Sequence, residues 1–307
     1  MTNMQQILSN TPFTISIGLY KINISCFYNN KAAYVLPDDI ALFQDDSAEE
    51  NTDWNIDYSI LPQQKFIEPE TLPMMSYEEG PMPYRIYKVD SESYLWIRKD
   101  KDKKNCLVYR ISRNWSLWEL IFDRTKGYSF NYIDELAYIF PYSILDKGGI
   151  MFHGVVMEWQ ALGIIVCAHS GVGKTTHTKL WKDHQNAFIL NGDRALCCRE
   201  EGTWFTYGAP WNGSSRECLN RKTILSAVVI LEQAEVNQVI RLTPLRGACE
   251  LISLTFAPAW EPVLMNCSLD LIDEIACNIP ILKLKCTPDI EAVAVLKSEL
   301  EKLILHQ

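Results

Sequence analysis

Residues 161–181 read ALGIIVCAHSGVGKTTHTKLW, an apolar run that passes without a break into a glycine-containing turn, a lysine and a helix-compatible stretch. No other feature constrains the fold as strongly. A run with no polar alternation has to be buried on both faces, which is the environment of a sheet covered by helices. The half of the chain around it therefore reads as α/β. With 307 residues, 48% of them hydrophobic, the chain is large enough to bury such a sheet.

The rest of that half alternates in the same way. GIMFHGVVMEW, AFILN, SAVVILEQ, VIRLT and IPILKLKC read as strands, and Lys174 to about Lys182, LRGACELISLTF and residues 288–304 as helices. In the last of these Ile290, Val293, Val295, Leu296, Leu300 and Leu303 fall mostly on one face. Before residue 125 the pattern differs. FTISIGLY and AAYVLP read as short strands, and QDDSAEENTD as a solvated acidic loop. Pro69, Pro73, Pro81 and Pro83 break up an irregular connection, and residues 84–122 alternate like an antiparallel meander with KDKDKK at a hairpin tip. Residues 131–145 read as a helix that Pro141 ends or kinks. The expected division is a β-rich amino-terminal domain, residues 1–125, followed by an α/β domain, residues 126–307.

Twenty-nine basic against thirty-eight acidic residues give a net charge of −9, which argues against nucleic acid or an anionic membrane as the main partner. The ten cysteines include no CxxC pair and read as reduced, mostly buried thiols. There is no apolar run approaching the roughly 18 residues of a membrane span and no charged start followed by an apolar signal core. The expected setting is the cytoplasm, and a homo-oligomer is compatible with everything above.

Within AHSGVGKTTHTKLW the backbone N–H groups of Ser170, Gly171, Val172, Gly173, Lys174, Thr175 and Thr176 are spaced to cradle phosphate at a helix start. Lys174 would reach the β and γ phosphates of ATP, and the Thr175 hydroxyl would ligate Mg²⁺, as in GxxxxGK[ST]. Ala168 stands where the first glycine of that pattern belongs, a replacement that a turn tolerates if φ stays negative. The plainer alternative is an ordinary strand-to-helix turn with an exposed lysine. Asp193, ending AFILNGD, would return beside the cradle to bind Mg²⁺ or act as general base, or it belongs to a simple NGD turn. His153, in the preceding strand, is by itself either a core histidine or a site residue.

FHG, an apolar strand into SGVGKT and a strand ending in aspartate together resemble the HPr kinase/phosphorylase and phosphoenolpyruvate-carboxykinase-like P-loop group. YGAPWNGSS and AVVILEQAEVNQVIRL are similar to its serine-kinase-like branch, which includes homologues encoded beside ribosomally made, modified peptides. The resemblance covers roughly residues 145–260. It implies a mixed-sheet P-loop kinase core, makes His153 a catalytic residue beside Lys174 and Asp193, and implies ATP-dependent transfer to a serine or threonine hydroxyl of a peptide, protein or small molecule. Two departures stand out: Gly192 replaces the first of the group's two aspartates, and the loop that handles HPr is not recognisable. Neither HPr phosphorylation nor its reversal follows.

Arg216, Arg221 and Lys222 would neutralise transferred phosphate or hold an acidic substrate, or else are surface charges. Trp96, Trp115 and Trp118 would line a recognition surface or belong to a core. Two other functions fit the same cradle: a non-catalytic nucleotide-binding regulator, and a small-molecule kinase of the nucleotide-kinase type.

Overall fold

Alternating β-branched and polar residues build the amino-terminal half, and continuous apolar strands build the other. The computed structural model describes residues 7–8, 13–25, 34–35, 38–45, 52–57, 65–78, 83–99, 105–124 and 132–304. The chain divides into two compact units, Met1–Leu136 and Ala137–Gln307. The junction expected at 125/126, most of the acidic loop, Pro81 and the tip of KDKDKK lie outside the described residues.

In the first unit nine strands form one sheet, in the order Gln44–Asp45, Phe13–Ile17, Tyr20–Ser25, Trp54–Asp57, Leu117–Arg124, Cys106–Ser112, Ser93–Lys99, Tyr84–Lys88 and Met75–Tyr77. The expected meander is its second half, antiparallel throughout. Trp54–Asp57 joins the two halves by pairing in parallel with Tyr20–Ser25 and with Leu117–Arg124. Strand Phe13–Ile17 buries every second residue, as a sheet with one covered face requires. The proline-rich connection is irregular as expected, yet it is tied down. Phe66 packs on Phe122, and Glu68 accepts hydrogen bonds from Lys99, Tyr87 and Arg85.

Trp96, Trp115 and Trp118 are each at most 1% exposed, so they line no recognition surface. Trp96 stacks on Tyr84, Trp115 on Tyr94, and Trp118 packs near Trp54 while donating its indole N–H to the Trp115 carbonyl. Large aromatic faces gain more from burial than any other side chains, and here the indoles supply the middle of the sheet's core.

The second unit is a mixed α/β structure around an eight-stranded sheet. Leu162–Cys167 is buried along its whole length, as its sequence predicts. It pairs antiparallel with Gly149–Trp159 and in parallel with Lys222–Gln233; Ile281–Cys286 lies parallel beside the latter, with Gln238–Arg241 antiparallel at the edge. Phe188–Asn191 pairs with the other side of Gly149–Trp159. The two long strands also carry a second set of partners. Residues 149–153 pair with Arg194–Glu200, which pairs with Thr203–Tyr207, which returns to residues 222–224. The buried strand and four others thereby close a circuit.

Helices Lys174–Gln185 and Ile290–Ile304 cover one face through Trp181, Val293, Leu296 and Leu300; Ile290 stays 40% exposed. Helix Pro244–Ile252 approaches Ile281 so closely at Gly247 that an added Cβ would stand 2.8 Å from Ile281 Cγ1. Helix Pro262–Asn278, which the sequence reading does not anticipate, packs against Pro244–Ile252. Its buried Leu264, Ser268, Ile272 and Ile275 recur at helical spacing behind a proline at the first turn, a signal present in the sequence. Pro141 sits inside helix Tyr132–Ser143, which runs only two residues past it.

Among the nine described cysteines four are buried, three half-buried and two, Cys249 and Cys277, exposed, so the thiols are less uniformly interior than composition suggests. No helix among the described residues is long and apolar enough to cross a membrane. Replacing Trp118 by alanine removes one of the largest buried side chains, and we expect a loss of about 3–5 kcal/mol of unfolding free energy. Urea denaturation followed by tryptophan fluorescence measures it, and a loss near zero would contradict a core role.

Candidate phosphate-binding site

The cradle grows out of local backbone preferences. Left-handed φ values fall on Gly171 (+81°) and Gly173 (+116°), and an added Cβ at either would meet open space. Conformation, and not crowding, requires glycine there. Ala168 is not among the residues with positive φ, so the replacement costs the turn nothing in backbone strain. Helix Lys174–Gln185 starts immediately after Gly173, and Thr175 and Thr176 stand exposed on its first turn. His169, Ser170 and Gly171 are exposed as well.

Lys174 is 9% exposed and donates to the Ala168 carbonyl at 2.8 Å, so its ammonium folds back over the loop. Burial pulls its pKa below the ordinary lysine value, against the opposing charge of Asp193. The loop is also tied to the end of the central strand, because the Gln233 amide donates to the Val172 carbonyl at 3.1 Å.

Asp193 is positioned by a neighbour the sequence reading does not single out. Asn191 is fully buried and uses both ends of its amide. Its Nδ2 donates to the carbonyls of Ala209 (2.6 Å) and Trp211 (3.1 Å), and its Oδ1 accepts the N–H groups of Asp193 (2.9 Å) and Arg194 (2.6 Å). The NGD turn is therefore a real turn, and it carries Asp193 to a strand end beside His153. His153 Nδ1 lies 3.4 Å from Asp193 Oδ1, and the Gly154 N–H donates to the Asp193 carbonyl at 3.0 Å. Burial, followed by the charge of Lys174, depresses the His153 pKa below the ordinary imidazole value although Asp193 pulls it upward. Arg194 Nε approaches Asp193 Oδ2 at 3.9 Å while its guanidinium donates to the Ala137 carbonyl and stacks on Phe256.

Position 192 has no room for a second carboxylate. A Cβ on Gly192 would stand 1.7 Å from Ser215 Oγ and 2.9 Å from the Asn212 carbonyl oxygen. The loop that supplies Ser215 also presses on Asp193, since a Cβ on Gly213 would lie 2.8 Å from Asp193 Cβ. Arg216, exposed with φ +56°, ends the short turn Gly213–Ser215 in that loop. Arg221 lies elsewhere. It is paired with Glu158 at 2.6 Å, and Glu158 faces Gly163, the end of the buried strand remote from the cradle by about 13 Å at the usual strand rise. His177, one turn into the cradle helix, is buried and accepts the Trp181 indole N–H at 3.1 Å, as a packing residue does.

The donors present suit a small hard cation that keeps water and phosphate oxygens in its shell: one hydroxyl, Thr175, and one carboxylate, Asp193. Among the described residues no group of three or more His, Cys, Asp or Glu is placed to hold a metal ion.

Two measurements follow. Gly192→Ala should cost about 1–3 kcal/mol through overpacking, and Ser215→Gly in the same chain should return part of it; equal losses in both backgrounds would refute the contact. Burial lowers the His177 pKa from 6.5 to about 4. Between those values the unfolded chain binds a proton that the folded chain refuses, so stability falls as pH drops through that window, by about 3 kcal/mol in full. His177→Gln, which keeps an acceptor for Trp181, should flatten that slope in urea titrations between pH 7 and pH 4.

No family model matches the chain, and no curated protein matches it. Among solved structures it is similar to the HPr(Ser) kinase/phosphatase from Coxiella burnetii, with a TM-score of 0.31 and 7% identity over 51% of this chain and 93% of that one. A likeness of this size leaves the functional reading to the geometry of the site.

Proposed function

We propose that the chain is an ATP-dependent phosphotransferase that moves the γ-phosphate to a hydroxyl of a peptide, protein or small molecule. One observation carries the reading: a glycine loop in left-handed conformation delivers Lys174 to the mouth of the cradle, and strand register brings His153 and Asp193 together beside it. On binding, Lys174 exchanges the Ala168 carbonyl for phosphate oxygens, a stronger, charge-assisted pairing. The loop N–H groups and the helix start hold the remaining phosphate charge. Asp193 Oδ1 takes the proton of the acceptor hydroxyl as its oxygen bonds to the γ-phosphorus and the bond to the β-phosphate oxygen breaks, releasing ADP. His153, held neutral by its surroundings, positions that carboxylate from 3.4 Å. Thr175 and Asp193 would hold Mg²⁺, which neutralises charge on the phosphates when bound.

Arg216, on the loop against Asp193, is the better of the two arginines for an acidic group on the acceptor; Arg221 is committed to Glu158. The acidic chain suits neither nucleic acid nor an anionic membrane as partner, and a cytoplasmic setting agrees with its thiols. The crowding at Gly192 favours a second reading, a nucleotide-binding regulator that transfers nothing, because a single carboxylate remains.

Calorimetric titration of ATP with and without Mg²⁺ tests the site. Lys174→Ala should weaken binding roughly ten- to hundredfold, the worth of a hydrogen bond to a charged group. Asp193→Asn should lose the Mg²⁺-dependent increment alone. Unchanged binding by Lys174→Ala, or none by the natural chain, would sink both readings. Binding without phosphate transfer to any serine-containing peptide, protein or small-molecule acceptor would leave the regulator.

A further inference from the structure

The residue after Asp193 gives its carboxylate a charged neighbour. Arg194 Nε stands 3.9 Å from Asp193 Oδ2, while Oδ1 stands 3.4 Å from His153 Nδ1. The two oxygens therefore face unlike groups. A guanidinium is charged at every pH a protein meets, whereas an imidazole can stand neutral near physiological pH. Resting on the phosphotransferase reading, we propose that Arg194 is a positioning residue for the transfer: it fixes Asp193 through Oδ2 and leaves Oδ1 as the oxygen that takes the acceptor proton.

The guanidinium is held from several sides. Its side chain is 12% exposed, its Nη1 donates to the Ala137 carbonyl at 2.6 Å, and its Cζ lies 4.6 Å from the centre of the Phe256 ring and 5.5 Å from that of Tyr138. Contacts between a cation and a ring face strengthen as water is excluded from them. The backbone is fixed as well, because the Arg194 N–H donates to Asn191 Oδ1 at 2.6 Å and Arg194 is the register partner of His153. Phe256 belongs to the same frame. Its N–H donates to the Met151 carbonyl at 3.4 Å, and the His153 N–H donates to the Leu254 carbonyl at 2.7 Å. One strand, Gly149–Trp159, thus places His153, Arg194 and the ring that Arg194 stacks on.

At 3.9 Å the approach of Arg194 to Asp193 is an ion pair and not a hydrogen bond. Its charge draws Oδ2 and makes that oxygen the weaker base of the two. A carboxylate free to turn about its Cβ–Cγ bond would offer either oxygen, and here one orientation is preferred before any ligand arrives. A side chain at 192 has no room, so Asp193 is the carboxylate whose orientation matters. To reach a phosphate the guanidinium would have to give up the Ala137 carbonyl and both rings, so it acts through Asp193.

Water serves as acceptor when no other is supplied. Its oxygen bonds to the γ-phosphorus as the bond to the β-phosphate oxygen breaks, ADP leaves, and Asp193 Oδ1 takes the proton. Phosphate release from ATP and Mg²⁺ by the full chain is measured beside calorimetric binding of ATP with and without Mg²⁺. Arg194→Gln should lower kcat about thirty- to hundredfold, the cost of a misplaced group at a reacting centre, and leave KM for ATP within about twofold. Arg194→Lys, which keeps the charge and loses the planar stacking, should recover about tenfold of that loss. Phe256→Leu, which keeps the charge and removes one wall, should lower kcat about three- to tenfold. The guanidinium also opposes a further cation at Asp193, so Arg194→Gln should raise the Mg²⁺-dependent gain in ATP affinity about threefold. Binding that improves while turnover falls is not what a merely structural loss produces.

Turnover by Arg194→Gln within about threefold of the natural chain would overturn the proposal. So would a loss of Mg²⁺-free ATP affinity of about tenfold or more, the mark of a direct phosphate contact. If Arg194→Gln does not fold, full turnover by both Arg194→Lys and Phe256→Leu overturns it equally. A natural chain that binds no ATP, or binds it and releases phosphate to neither water nor any acceptor, would instead overturn the phosphotransferase reading, and a role in transfer with it.

Discussion

Complete burial of Leu162–Cys167 is the constraint on which the second unit depends. A strand with no face or edge in water must have every backbone N–H and C=O satisfied by neighbours. Gly149–Trp159 and Lys222–Gln233 meet that demand on its two sides, and both extend beyond it to recruit a second pair of strands. Two close approaches make it work. A Cβ on Gly163 would stand 2.5 Å from the Ile224 carbonyl oxygen, and one on Gly154 would stand 2.9 Å from Cys167 Sγ. The same registers bring His153, the cradle and the Asp193 turn to one end of the sheet, so the site follows from the way the strand is covered.

Charge at that end is arranged around a single carboxylate. Lys174, His153 and Arg194 all interact with Asp193, and burial destabilises the charged forms of Lys174 and His153. Position 192 admits no side chain, because Ser215 Oγ and the Asn212 carbonyl fill the space that one would need. The loop that excludes it also braces Asp193 through Gly213. Where the sequence reads as a lost aspartate the fold is filled by that loop, and the turn that carries Asp193 is held by the four hydrogen bonds of Asn191.

The first unit obeys a different balance. Strand Phe13–Ile17 alternates inward and outward residues while Ser93–Lys99 and Cys106–Ser112 are buried over most of their length, and tryptophans that would suit a binding surface by composition form the interior. Among the described residues the parallel pairings in that sheet, on both sides of Trp54–Asp57, join segments far apart in sequence. No local pattern announces them, because parallel neighbours need long connections and leave no turn signature.

Local physics made much of this protein legible in advance. The apolar strand, the glycine turn and the helix behind it depend on neighbours a few residues away, and the sequence by itself determined them, together with the meander and the closing helix. Gly171 and Gly173 were readable because left-handed φ values select glycine. Tertiary structure alone decided the rest. It put His153 beside Asp193 through strand register, and it sent Arg221 to Glu158 at the far end of the sheet. It closed position 192 with a hydroxyl from 23 residues downstream. Such contacts join residues distant in the chain, and their distances are set by how the whole sheet packs, which no short stretch of sequence encodes.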